Sequence, residues 1–149
     1  LSTDAGHMLV YGIDDTEWND WGKYKMCNGQ ELIDRVRKLG GIAIPAHPWQ
    51  VMESSGSQEG LQFTVDERIT ALSNLAAIEV CNGKQLGHPV ICEILGAFAK
   101  QNGIGGIGGS DAHTPENVGN AYTVFRAPVY SSRDLVRALL SKVYYPQTL

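Results

Sequence analysis

The sequence predicts a single α/β domain over residues 1–149, with mostly parallel strands and helices on their outer side. Three observations carry that expectation. Candidate strands and candidate helices alternate along the chain. The strands are apolar throughout, as strands covered on both faces are, instead of alternating apolar and polar. Glycine, with 17 residues, clusters beside the strands in GGIAIPAHP, CNGKQLGHP and NGIGGIGGSDAH, where it allows sharp turns and close backbone approach.

The first ten residues read as a strand, with HMLVYGI as its apolar run. Residues 14–25 are polar and aromatic without a period and read as a loop. Asn28 caps a helix that runs to about Leu39, with Leu32, Ile33, Val36 and Leu39 on one face and Gly40 as its stop. GIAIPAHP, residues 41–48, is a short buried strand. Residues 49–64, rich in Ser, Gly and Gln, read as a loop. Ile69, Leu72 and Leu75 share one face of a helix at about Val65–Leu75. AAIEVCN (76–82) is the next strand. Pro89 suits the first turn of a helix that ends at Gly103. A glycine-rich strand, IGGIGGS (104–110), follows, then AYTVFRA (121–127) and a capped helix over 131–142.

The net charge of −4 and the pI of about 5.5 argue against electrostatic binding to nucleic acid or an anionic membrane. No apolar run approaches a membrane span, and the first residues lack the pattern of a signal peptide. The three cysteines, Cys27, Cys81 and Cys92, show no CxxC spacing and read as reduced thiols in a cytoplasmic protein. GxxxxGK[ST], GxSxG and a GxGxxG before a helix are all missing, which disfavours a P-loop, a serine hydrolase of the usual type and a dinucleotide site.

In parallel α/β architectures chemistry gathers at the C-terminal strand ends. His47 follows GIAIPA, Asn82 follows AAIEVC, and Asp111 and His113 follow IGGIGGS. A carboxylate and a neutral imidazole two residues apart suit Zn²⁺, Mn²⁺ or Fe²⁺. Taken alone, an Asx-turn at Asp111 and a packed core histidine at His47 are the commoner readings. His7 lies in Gly-His-Met, a triplet that also arises as a cloning scar, but the unbroken strand after it and LSTDA before it favour a native residue. His88 precedes Pro89 as a cap or a surface histidine. Glu79, inside a buried strand, demands a partner. Arg126 and Lys84 are candidate phosphate contacts whose default is a solvated role.

GHMLVYGID, GGIAIPAHPW, AAIEVCNG and GIGGSDAHTPENVGNAYTVF, in this order, resemble the PHP (polymerase and histidinol phosphatase) family, and most of all its stand-alone metal-dependent phosphoesterases. The resemblance runs from residue 1 to about 142. It implies a distorted (β/α)7 barrel whose strand ends hold two or three divalent ions, of Mn, Zn, Fe or Mg. It implies that His7, His47, Asp111 and His113 match metal ligands, with Asp111 also steering the attacking water. Glu79 and Asn82 match a strand near the site and carry a supporting or substrate-binding role; Arg126, a phosphate contact by its charge alone, is the further substrate-binding candidate. The family's HxH motif and the next Asp, His and Glu have no counterpart here, so the expected fold is a partial barrel, truncated at the N-terminus.

The expected activity is hydrolysis of phosphomonoesters or small nucleotides and oligonucleotides, incomplete in this chain. An open barrel edge would call for self-association or a missing N-terminal segment to cover it. The rival expectation is a degenerate, non-catalytic PHP module that binds a partner. A weaker one is a metal-dependent amidohydrolase.

Overall fold

A computed structural model of the chain describes residues 1–14, 27–52, 62–85 and 88–149. It opens with β1 (Ser2–Thr3) and β2 (Gly6–Tyr11). Helix α1 (Gly29–Lys38) leads to β3 (Ile42–Pro45), β4 (Trp49–Met52), β5 (Gln62–Val65) and a single helical turn, α2 (Glu67–Thr70). Then come β6 (Ala77–Asn82), the 3₁₀ turn Gly83–Gln85, α3 (Pro89–Gln101) and β7 (Gly105–Gly109). A second 3₁₀ turn (Pro115–Asn117) precedes β8 (Ala121–Phe125), α4 (Ser132–Ser141) and β9 (Tyr144–Thr148).

The expectation of a partial (β/α)7 barrel with mostly parallel strands is overturned. The described strands form four small sheets, β1-β2-β3, β4-β5, β6-β7 and β8-β9, and only β6 and β7 run parallel. The apolar-throughout signal misled because it counts covered faces and carries no information on direction. All of β3 is buried, yet it pairs antiparallel with β2, Leu9 facing Ile44. Its residues alternate between two cores. Ala43 joins Met8, Val36, Ile78 and Leu95, whereas Ile42 and Ile44 join Ala77, Ile107, Val136 and Leu139. α1, α2 and α3 thus close one face of the central strands, and α4 closes the other.

Side chains stand between sheets where a continuous barrel would have ladder bonds. The Thr123 hydroxyl accepts from the Gly108 N–H at 3.0 Å and donates to the Gly108 carbonyl at 2.9 Å, tying β8 to β7. A Cβ at Gly108 would run into the Tyr122 carbonyl, so only glycine permits this approach. The β6–β7 register itself shifts between Glu79 and Cys81.

Three helices follow their sequence signals. Asn28 accepts from the Glu31 N–H at 2.9 Å, and Leu32, Ile33 and Val36 are buried; Leu39 instead lies at the C-cap, exposed. α3 begins at Pro89 and buries Ile91, Leu95 and Ala99. In α4 the Ser131 hydroxyl accepts from the Asp134 N–H at 3.1 Å. The helix expected over 65–75 is confined to Glu67–Thr70, and residues 49–52 and 62–65 form strands inside the expected loop. The loops expected at 15–25 and 53–61 lie outside the described residues.

Asp66 caps α2. Its carboxylate accepts from the Arg68 N–H at 3.0 Å and pairs with the Arg68 guanidinium, which holds the carboxyl below the usual range. Asp66→Ala is expected to cost about 1 kcal/mol at neutral pH through the lost cap. A lowered folded-state value gives stability that is present above the unfolded value and lost as pH falls through the folded one. The difference between wild type and Asp66→Ala should therefore shrink in thermal melts taken below about pH 4.

Candidate functional site

The ends of β3, β6 and β7 converge on a cleft of about 530 Å³, lined among others by His7, His47, Glu79, Asn82, Gly109 and Asp111. His47, Asn82 and Asp111 follow or close the C-terminal ends of their strands. His7 reaches the same rim from the start of β2, because β2 runs antiparallel to β3. The Ala46 N–H donates to the His7 carbonyl at 2.9 Å and locks that register. A second cleft, of about 430 Å³, opens around Arg37, Gly41 and Lys142 and carries neither a histidine nor a carboxylate.

His47 and Asp111 both hold left-handed backbones, with φ of 37° and 46°. Such strain in residues that line a cleft persists only when the surroundings enforce it. At His47 the enforcing partner is Glu79, whose Oε2 accepts the His47 N–H at 2.6 Å. The same oxygen accepts from Asn82 Nδ2 at 3.1 Å, and Asn82 Oδ1 accepts the Lys84 N–H at 2.9 Å. Glu79 is only 3% exposed. Burial above all, with the Asp111 charge adding, raises its carboxyl above the ordinary range, against the hydrogen bonds from Asn82 and His47. Burial, and then the nearby Glu79 charge, raises the Tyr11 phenol as well. A Cβ at Gly109 would collide with the Glu79 carboxylate, which explains a glycine at the end of β7.

Two pairs of donors flank the cleft. His7 Nδ1 and His47 Nε2 lie 3.1 Å apart, the rings edge to face. On the other side the His113 Nδ1–H donates to the Asp111 carbonyl at 2.8 Å. The Lys84 ammonium lies 3.2 Å from Asp111 Oδ2 and 3.4 Å from His113 Nε2. His113 is exposed and stands outside the cleft lining, at its edge.

The remaining sequence candidates are placed elsewhere. Arg126 lines a separate cleft with Pro128, Asp134 and Arg137. His88 precedes α3 without capping it, its ring 5.1 Å from that of Phe63. Cys81 adjoins Asn82 on β6, but burial, then its hydrogen bond with Cys92, pushes its thiol up to about 12, so no thiolate nucleophile forms there at neutral pH. The sequence offered Lys84 as a phosphate contact with a solvated role as its default. Only the fold shows its ammonium on the Asp111–His113 pair, and a lysine two residues past a strand-end Asn was the sole signal.

The donors suit a divalent metal in kind and in part in geometry. Two imidazole nitrogens 3.1 Å apart stand at about the spacing of neighbouring ligands on one ion with metal–nitrogen bonds near 2.1 Å. Among the described residues, however, no three His, Cys, Asp or Glu side chains converge to hold an ion. The described residues thus offer paired donors and no closed metal site.

Residues 95–143, from the middle of α3 to just before β9, match the model of the PHP-associated family. The match takes in Asp111, His113 and Arg126 and leaves out His7, His47 and Glu79. No curated protein and no solved structure matches the chain. No described helix is long and apolar enough to cross a membrane.

Proposed function

We propose that this chain, whose residues 95–143 match the PHP-associated family model, carries one side of a metal-dependent phosphoesterase site acting on phosphomonoesters or small nucleotides and oligonucleotides. The observation that carries the reading is the convergence of His7, His47 and Asp111 on one cleft from three separate strands. His7 with His47, and Asp111 with His113, would each supply part of a divalent ion's ligand set, completed by donors beyond the described residues. Such ions supply a nucleophile at neutral pH and neutralise charge on the phosphate.

The chain's own groups do the positioning. Glu79 fixes the His47 backbone and Asn82 fixes Lys84. The Asp111 carbonyl sets the His113 tautomer so that Nε2 presents its lone pair. The purified protein is expected to hydrolyse an aryl phosphate on addition of Mn²⁺ and to lose that activity on chelation, followed by release of the phenol.

That no three such donors meet among the described residues favours a second reading, a non-catalytic PHP module that binds a partner. A protein that takes up no Mn²⁺ and leaves aryl phosphate intact with Mn²⁺ in excess would favour it over the first reading.

A further inference from the structure

On the reading of Asp111 and His113 as ligands, we infer that the Lys84 ammonium is a built-in competitor for the divalent ion at that pair, so that metal enters only as Lys84 leaves. The ammonium sits where a cation would, 3.2 Å from Asp111 Oδ2 and 3.4 Å from His113 Nε2. Nε2 is the nitrogen left with a lone pair when Nδ1–H donates to the Asp111 carbonyl, so the Lys84 ammonium faces the lone pair a metal would use. Its origin is fixed. The Lys84 N–H is bound by Asn82 Oδ1 at 2.9 Å, and Asn82 is 2% exposed. Gly83 packs against the Ser110 backbone so closely that a Cβ would collide with the Ser110 carbonyl. The 3₁₀ turn that carries Lys84 is thereby anchored to the segment that carries Asp111.

Two effects oppose metal entry: the ion pair must break, and an ammonium left nearby repels a divalent ion. The Lys84 side chain is 54% exposed, so replacing it leaves the fold intact. Mn²⁺ titrations of the full chain, with free Mn²⁺ read by electron paramagnetic resonance, test the inference without any assay of activity. K84Q is expected to bind Mn²⁺ about fivefold more tightly than wild type. K84R, which keeps the charge, should stay near wild type, and D111N should bind more weakly than wild type.

If D111N weakens binding but K84Q matches or falls below wild type, the competition is overturned while the ligand reading stands. If D111N leaves binding unchanged, the ligand reading fails and the competition with it. If neither wild type nor K84Q takes up Mn²⁺, both are overturned. Uptake by K84Q alone would be the strongest support, with the lysine masking a competent pair.

Discussion

Replacing Asp111 with Asn is expected to lower Mn²⁺-dependent aryl phosphate hydrolysis by at least about a hundredfold in kcat/KM, the scale of losing one electrostatic group at a reacting centre. The substitution isolates charge from shape. Asn has nearly the same volume and tolerates the left-handed backbone that Asp111 adopts at φ 46°, so the end of β7 keeps its course. What disappears is the negative charge that meets Lys84 at 3.2 Å and would attract a divalent ion. The Asp111 carbonyl that orients His113 survives the change. A D111N protein with a wild-type melting curve and wild-type hydrolysis would remove Asp111 from the chemistry and place the reacting centre away from the end of β7.

The parts legible in the sequence were those governed by local rules. Asn28, Pro89 and Ser131 each announced a helix start, and Leu32, Ile33 and Val36 of the face expected for α1 are buried. The helix over 65–75 was overextended because Leu72 and Leu75 keep facing the core after the helix has stopped, so the period outlives the hydrogen bonding. The β4–β5 pair was hidden by the Ser- and Gly-rich stretch between its strands, although Trp49 faces Val65 and Gln50 faces Thr64. β9 was missed because YYPQT carries a proline; Pro146 is tolerated there, opposite Thr123, in a two-stranded sheet whose strand has an open side.

Strand direction was beyond reach for a different reason. Burial reports how many layers cover a strand, and two helical layers cover β3 whichever way it runs. The gathering of His47, Asn82 and Asp111 was still foreseeable, because each closes a strand and β3, β6 and β7 end on a common rim. The role of Lys84 was not, since it depends on a side chain crossing from one strand end to the next.

Glu79→Ala is expected to destabilise the fold by about 3 kcal/mol, and Glu79→Gln by much less. The carboxylate is the junction between β3 and β6. Removing it strands the His47 N–H and takes one hydrogen bond from the Asn82 amide, both of which now end on Oε2. An unsatisfied buried donor costs about 1–3 kcal/mol, and the bond lost from Asn82 adds about 1 kcal/mol. Part of that loss is offset, because burial already penalises the Glu79 charge. Gln retains an oxygen to accept both bonds and sheds the charge, so it should melt close to wild type. The alanine protein carries a second consequence. With its N–H released, His47 loses the side-chain bond that helps hold φ at 37°, and its ring should leave His7. Thermal melts measure the first effect, and the imidazole resonances of His7 and His47 in NMR report the second. If Glu79→Ala melts with wild type and leaves both resonances unmoved, this carboxylate does not organise the cleft, and the left-handed turn at His47 must be enforced by the packing of Ala46 and Pro48 alone.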